Sequence, residues 1–199
     1  IRLIVGLGNP GTQYEGTRHN AGAFFVRRLA MLHGLTLSAE RNALADSARG
    51  IVAGHDLRLL VPQTYMNNSG RSVAAAASYY RVDPTEILIA HDELDIPPGE
   101  SRIKHDGGHG GHNGLRDIIP ALGNRKNFWR LRIGIGHPGS ARQVSSWVLS
   151  KASTADQIAI EASIESAISA LPLLLDGDAV KAMTALHSEH HQPPTNNED

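Results

Sequence analysis

Short apolar runs alternate along the chain with stretches that have a helical period. Mainly apolar runs at residues 3–5, 57–61 and 87–90 are typical of strands buried in a sheet. Residues 21–32 have a helical period with one apolar stripe, made of Ala21, Phe24, Phe25, Leu29 and Leu32. Asn20 suits the start of that helix as a cap, and Gly34 suits its end.

The alternation continues through the rest of the chain. A β-hairpin is expected around Gly54-His55-Asp56, with its second strand ending at Pro62. Further strands are expected at residues 101–104 and 127–136, the latter with a bulge where the apolar phase slips. Helices are expected at residues 69–80, 115–122 and 155–171, with a helix at 173–186 that is broken around Gly177 and a short helix or strand at 144–149.

This order of elements predicts an α/β fold. We expect a single domain over residues 1–186, with a twisted mixed β-sheet and helices on both faces. Residues 187–199 are polar and contain Pro193-Pro194, so they are expected to form a disordered tail.

Composition fits a globular protein and excludes some kinds of chemistry. Hydrophobic residues make up 41% of the 199 residues, and no uninterrupted apolar run approaches the roughly 20 residues of a membrane span. Cysteine is absent, which removes disulfides, thiolate catalysis and cysteine zinc sites and fits a cytoplasmic protein.

The charge balance argues mildly against a nucleic-acid-binding protein. The formal net charge is −1, whereas such proteins are often basic overall. Basic residues nevertheless cluster in Arg102-Ile103-Lys104, Arg125-Lys126 and Arg130-Leu131-Arg132. They fit either a local basic patch or solvated charges on strand edges.

The segment from Gly6 to Asn20 contains a glycine pattern that resembles a dinucleotide-binding loop. Gly6-Leu7-Gly8-Asn9-Pro10-Gly11 matches G-x-G-x-x-G after a strand. That motif needs a helix that begins within the glycines, but Pro10 disfavours helical geometry at Asn9. A nucleotide-binding oxidoreductase is therefore the weaker interpretation.

Four polar loops follow predicted strands, after Val5, Val61, Ala90 and Lys104. Loops at the ends of buried strands commonly carry the chemistry of α/β proteins. The candidate site residues in these loops are Asn9, Tyr14, His19, Tyr65, Met66, Asn67, Asp92 and Asn113.

His19 and Asp92 are the candidates for acid–base chemistry. Imidazole can accept a proton at neutral pH, and a carboxylate on its far nitrogen fixes the tautomer and stabilises the imidazolium. With no cysteine and no G-x-S-x-G motif, a histidine that activates water is favoured over a covalent intermediate.

Each candidate also has a purely structural interpretation. His19 fits a residue that braces the following helix, and Asp92 fits a solvated turn or a metal ligand. Asparagines are common in turns, and Tyr65 and Met66 fit a core. His105, His109 and His112, with Asp92 nearby, could bind zinc, although their spacing matches no zinc signature.

Four segments, in order, resemble the signatures of bacterial-type peptidyl-tRNA hydrolases. The first combines Gly6-Leu7-Gly8-Asn9-Pro10-Gly11 with Tyr14 and Thr17-Arg18-His19-Asn20-Ala21-Gly22. The others are Pro62-Gln63-Thr64-Tyr65-Met66-Asn67-Asn68-Ser69-Gly70, His91-Asp92-Glu93-Leu94-Asp95 and Gly107-Gly108-His109-Gly110-Gly111-His112-Asn113-Gly114-Leu115. The resemblance extends from Leu3 to about Leu186.

The resemblance implies an esterase that cleaves the bond between a peptide and the 3′-terminal ribose of tRNA. It implies that His19 is the general base, that Asp92 holds it, and that Asn9 meets the peptide. It places Asn67 and Asn113 against the substrate or its water. Tyr14, Tyr65 and Met66 would form the walls of the channel, with Tyr65 where some members have phenylalanine.

The resemblance also implies the partners of the protein. Lys104 and Arg132 match basic positions that resemble a phosphate clamp for the end of tRNA. We therefore expect a cytoplasmic monomer that acts on peptidyl-tRNA, with no cofactor, metal or membrane. The alternative is a non-catalytic tRNA- or RNA-binding protein that uses the basic strands alone.

Overall fold

The fold is a seven-stranded mixed sheet with helices on both faces, seen in a computed structural model that describes residues 1–188. The strands are β1 (Leu3–Gly6), β2 (Ser38–Glu40), β3 (Ala45–Val52), β4 (His55–Pro62), β5 (Ile87–Glu93), β6 (Ser101–His105) and β7 (Trp129–Gly134). The α-helices are α1 (Ala21–Leu32), α2 (Ser69–Tyr79), α3 (Asn113–Ala121), α4 (Val144–Val148), α5 (Thr154–Leu175) and α6 (Ala179–Ser188). The predicted fold class is confirmed.

The centre of the sheet is parallel and its edges are antiparallel. The strand order is β2-β3-β4-β1-β5-β7-β6, with β4, β1, β5 and β7 running in one direction. The hairpin partner β3, the short β2 and the edge strand β6 run antiparallel to their neighbours. The loops that follow β1, β4 and β5 therefore meet at one edge of the sheet, where ligands bind in open α/β folds.

Two hydrophobic cores lie on opposite faces of this sheet. Ile4 of β1 and Leu88 of β5 pack with α1, α5 and α6, whereas Val5 and Ile89 pack with α2 and α3. Successive side chains of a strand point to opposite faces, so a strand covered on both sides is apolar throughout. This explains the unbroken apolar runs that identified β1 and β5.

Helix α5 belongs to the first of these cores. Ile160, Ile164 and Leu171 are buried, and Glu161 and Glu165 are exposed. Within the described chain, α5 is long and apolar enough, by length and composition, to cross a membrane. A core helix meets the same criterion, and Glu161 and Glu165 interrupt the apolar residues of α5.

Several predicted details of the helices are wrong. On α1, Phe24 and Leu32 are exposed, and Val26 and Ala30 lie in the core instead. The side chain of Asn20 makes no capping hydrogen bond. The long helix does not end at 171 but continues through Pro172 to Leu175. The predicted break around Gly177 is confirmed, because it lies between α5 and α6.

The strands also differ from their predicted bounds. Residues 38–40, left unassigned, form β2, and β3 begins at Ala45. No bulge interrupts β7, which pairs in continuous register with both neighbours; the phase slip at Phe128 lies just before the strand. The predicted tail begins too early, since His187 lies in α6 and its Nε2 accepts the Ile103 N–H at 3.3 Å. Residues 189–199 lie outside the described part of the chain.

Two glycines allow α1 to touch the sheet backbone to backbone. A Cβ atom built on Gly22 of α1 would lie 2.1 Å from the carbonyl oxygen of Ala90 in β5. A Cβ on Gly6 of β1 would lie 2.3 Å from the carbonyl oxygen of Gly22. Real Cβ atoms do not approach this closely, so both glycines are required by space rather than by backbone dihedrals.

We expect Gly22→Ala to destabilise the protein by about 3 kcal/mol, because the added methyl group must push α1 away from β5. The higher helix propensity of alanine would offset only about 1 kcal/mol of the strain. Urea unfolding followed by circular dichroism measures this change. Gly108→Ala is the matched control, since nothing lies within 4 Å of a Cβ there. Equal stabilities of the two variants would contradict the role of the contact.

Candidate active site

Asp92 lies on a strand and not in the loop that the sequence suggested. Strand β5 continues beyond the apolar run through His91, Asp92 and Glu93, because β7 pairs with it as far as Gly134. The Asp92 side chain is only 2% exposed. A carboxylate in this position needs hydrogen-bond donors to remain charged.

His19 supplies one of these donors. It lies in the 3-10 turn Arg18–Asn20 just before α1 and is 7% exposed. Its Nδ1–H donates to both Asp92 oxygens, at 3.0 Å to Oδ1 and 2.9 Å to Oδ2. Burial lowers the pKa of His19, but the charge of Asp92 and this hydrogen bond outweigh burial, and the net pKa is raised. Because Nδ1 carries the proton, Nε2 is the atom that can accept one.

His112 supplies the other donor, and sequence reasoning did not place it in the site. Its Nε2 lies 2.7 Å from Asp92 Oδ1. Its Nδ1 accepts the N–H groups of Gly114 and Leu115 at the start of α3, so the residue caps that helix with its ring. Burial alone would raise the pKa of Asp92, but His19 and His112 together hold it well below its usual range.

Three hydrogen bonds to two residues hold Asn9 in place. Asn20 accepts the Asn9 N–H at 2.9 Å and donates to the Asn9 carbonyl oxygen at 2.9 Å. The N–H of Met66 donates to Asn9 Oδ1 at 2.7 Å. With its oxygen engaged, Asn9 presents its Nδ2 as the remaining donor of the amide.

Most of the candidate site residues line one open cleft, although the buried Asp92 is not part of the lining. Its walls include Asn9, His19, Tyr65, Met66, Asn67, His112 and Asn113. Met66 is buried, whereas Tyr65, Asn67 and Asn113 are exposed. Tyr14 is not part of this lining, but its ring packs edge-on against Tyr65 at 6.3 Å.

A further wall comes from α4, which the sequence left undecided between helix and strand. Val144, Ser145, Val148 and Leu149 line the cleft from that side. Leu149 is 44% exposed. The cleft therefore has polar amides on one side and aliphatic side chains on the other.

Lys104 and Arg132 lie outside this cleft, in a neighbouring groove. Arg102 of β6 pairs directly with Arg132 of β7, which puts Lys104 on the same face of the sheet. The groove is lined by Arg102, Lys104, Arg132 and His187, among others. Arg132 donates to Glu93 Oε1 at 2.8 Å from Nε, and Glu93 itself lines the cleft. The groove and the cleft therefore meet at this ion pair.

The histidines that were weighed as zinc ligands do not gather in one place. His105 packs against the ring of Trp129, and His109 accepts the N–H of Gly111. Only His112 reaches Asp92. Within residues 1–188, the group of three side chains that could together hold a metal ion is His19, Asp92 and His112, whose ligand atoms lie within 4.8 Å of one another. Asp92 already accepts hydrogen bonds from both histidines.

Arg130 is a second residue that the sequence could not place. It is 2% exposed, and its guanidinium donates to the carbonyl oxygens of Gly107 and Gly108. The loop that carries His112 is thereby anchored to β7. The only signal in the sequence was a basic residue at a position that alternation assigns to one face of the sheet.

The geometry defines an α/β enzyme able to perform general acid–base chemistry at the carboxyl edge of its sheet. A family model described as peptidyl-tRNA hydrolase matches residues 3–194. A peptidyl-tRNA hydrolase from Pseudomonas putida is 57% identical over 189 residues, 95% of this chain and 97% of the relative. One from Azotobacter vinelandii is 55% identical over 188 residues, 94% of this chain and 97% of the relative.

Solved structures agree with these sequence matches. The crystal structure of peptidyl-tRNA hydrolase from Acinetobacter baumannii has 53% identity and a TM-score of 0.90, covering 94% of each chain. The chain belongs to the peptidyl-tRNA hydrolase family. The resemblance seen in the four sequence motifs is confirmed, and the protein is a hydrolase.

Proposed function

We propose that this protein hydrolyses the ester bond between the peptide and the 3′-terminal ribose of peptidyl-tRNA, with His19 as general base. The observation that carries the mechanism is the hydrogen bond from His19 Nδ1 to Asp92, which leaves Nε2 of His19 free to accept a proton beside the cleft. The names of the relatives support the substrate.

The reaction follows from this arrangement. His19 Nε2 takes a proton from a water molecule as the water oxygen attacks the ester carbonyl. Asp92 stabilises the imidazolium that forms. The tetrahedral intermediate then expels the ribose 3′-oxygen, which takes that proton from His19. The products are a tRNA with a free 3′-hydroxyl and a peptide with a free carboxylic acid, which ionises by releasing its proton to solvent.

The amides of the cleft are suited to bind the peptide and the developing charge. Asn9 is oriented by Asn20 and Met66, so its Nδ2 is a preorganised donor for a peptide carbonyl. Asn67 and Asn113 are exposed in the same cleft and can donate to the substrate or to the oxyanion. Tyr65 and Met66 provide an apolar wall beside them, and Tyr14 supports Tyr65 from outside the cleft.

The basic groove is suited to the phosphates at the end of the tRNA. Lys104 is exposed, and Arg132 is fixed by Glu93 at the border of the cleft. A strand of nucleic acid whose ester lies beside His19 would pass this border. Lys104 and Arg132 are accordingly proposed as the phosphate clamp.

We expect Lys104→Ala and Arg132→Ala each to weaken tRNA binding and to reduce the slope of log Kd against log salt by about 0.7–0.9. Fluorescence titration at several salt concentrations measures both quantities. Arg49→Ala is the control, since it removes the same charge from β3, far from β6 in the strand order. A slope that stays unchanged in both test variants would contradict the clamp.

The sequence also allowed a protein that binds tRNA without cleaving it, and the family match argues against this alternative. An assay with N-blocked aminoacyl-tRNA separates the two, because only the hydrolase releases the acid. The oxidoreductase alternative has lost its structural basis, since α1 begins at Ala21 and no helix begins within the Gly6–Gly11 run. Titration with a dinucleotide should show no binding.

We further infer that the protein acts as a cytoplasmic monomer without a cofactor or a membrane. Each acid–base role in the proposed reaction is assigned to a side chain of this chain. Light scattering on purified protein tests the monomer, and hydrolysis after exhaustive chelation tests the independence from metal.

A further inference from the structure

The carboxylate of Asp92 is shared between two histidines. Oδ1 accepts from His112 Nε2 at 2.7 Å and from His19 Nδ1 at 3.0 Å, while Oδ2 accepts only from His19, at 2.9 Å. His112 makes the shortest of the three contacts. The proposed reaction uses the bond to His19 and gives no role to the bond to His112.

The backbone of α3 fixes which nitrogen of His112 carries the proton. Nδ1 accepts the N–H of Gly114 at 3.1 Å and that of Leu115 at 3.4 Å. Since Nδ1 is an acceptor, Nε2 must be the donor to Asp92. The tautomer of His112 is therefore set by the start of a helix and needs no further side chain.

The ring of His112 is also held between two other imidazoles. Its centroid lies 5.1 Å from that of His19 and 5.0 Å from that of His91. His91 donates from Nδ1 to the carbonyl oxygen of Asp92 at 2.8 Å, and burial lowers the pKa of His91 to about 3. His91 thus forms a neutral wall that restricts how His112 can turn.

We infer that His112 is a positioning residue that sets the basicity of His19 by sharing its carboxylate. This inference rests on the proposed role of His19 as the base. A carboxylate that accepts a second N–H bond has less charge available for the first, so it raises the pKa of its partner less. A base works best when its pKa lies near the working pH, and an unshared Asp92 would keep His19 protonated to higher pH.

Other ionisable groups near the pair act on it from farther away. On β5, His91 is neutral, and Glu93 is paired with Arg132 of β7. Arg130 of β7 is directed at the glycine loop. The segment of α4 that lines the cleft, with Val144 and Ser145, carries no ionisable side chain. His112 is thus the group placed to adjust how far Asp92 raises the pKa of His19.

The test replaces His112 by asparagine. Asparagine is a good helix cap, so α3 keeps its start, but its side chain is too short to reach Asp92. We expect NMR titration of ¹⁵N-histidine-labelled protein to show the pKa of His19 rising by about half a unit or more. The acid limb of the kcat/KM profile should move upward by the same amount, so activity falls more at pH 6 than at pH 8.5.

Two further variants make the result specific. His109→Asn changes a histidine of the same loop that does not touch Asp92, and it should leave the pKa of His19 unchanged. His112→Gln keeps an N–H donor of similar reach and should restore part of the wild-type profile.

Three outcomes would overturn the inference. The first is an unchanged His19 pKa in His112→Asn with only a lower Tm, which would mean a structural role. The second is a rise in KM without a shift of the acid limb, which would mean a substrate contact. The third is an equal shift in His109→Asn. Because the NMR titration reads His19 directly, its result does not depend on whether His19 is the base; the activity of His19→Ala decides that separately.

Discussion

Replacement of His19 by alanine should reduce the hydrolysis of peptidyl-tRNA by about 1,000-fold, because general base catalysis contributes about 10²–10⁴. Nε2 of His19 is the acceptor that Asp92 leaves available in the cleft. Binding of tRNA should change little, since the proposed phosphate clamp at Lys104 and Arg132 lies in the neighbouring groove. Release of peptide from N-blocked aminoacyl-tRNA at pH 7.5 and titration with deacylated tRNA measure the two effects.

A second variant distinguishes the loss of the base from a folding defect. His19 is buried against Asp92, so alanine leaves the carboxylate with His112 as its remaining side-chain donor. His19→Asn retains a polar side chain in the same space and lacks a basic nitrogen. If either folded variant kept near-normal turnover, His19 would not be the base.

Replacement of Asp92 by asparagine should also cause a large loss, of about 10³–10⁴ in kcat, with the fold retained. An amide has no charge to stabilise the imidazolium, and its NH₂ group can donate to Nδ1 of His19, which favours the tautomer with its proton on Nε2. The measurement is kcat over a range of pH, with circular dichroism as the check on folding.

The pH dependence gives this variant a distinct signature. His19 must be unprotonated to act, and Asp92 raises the pKa of His19, so wild-type activity falls as pH drops through that raised value. Without the charge, burial is left to lower the pKa, and the acid limb should move to lower pH. This direction is opposite to the shift expected for His112→Asn. An acid limb that stayed in place would show that Asp92 does not act through His19.

The fold was predictable because its elements have strong local signals. The unbroken apolar run at residues 87–90 indicated a strand covered on both faces, and β5 lies near the centre of the sheet between β1 and β7. The ends of elements were less predictable. His91 and Asp92 were assigned to a loop because they are polar, but both residues pair with β7 and so belong to the strand. Polarity in this case marks the site and not the end of the strand.

The contacts within the site could be predicted only in part. His19 and Asp92 were chosen for their chemistry, and the structure brings them to 2.9 Å although 73 residues separate them. The roles of His112 and Asn20 depend on contacts with distant backbone and side chains, which no local pattern encodes. Arg130 fitted a surface charge, yet it is buried, and its guanidinium donates hydrogen bonds to the carbonyl oxygens of Gly107 and Gly108.

The contact between Gly22 and Ala90 has a consequence for how the protein can be redesigned. Gly22 follows His19 by three residues, and Ala90 precedes Asp92 by two. The distance between His19 and Asp92 is therefore set by the close approach of these two main-chain segments. Aliphatic side chains elsewhere in the two cores are not part of this contact. Thermostable variants can therefore be sought by exchanging core residues that do not pack against the cleft, such as Ile164, while Gly22 and Ala90 are kept.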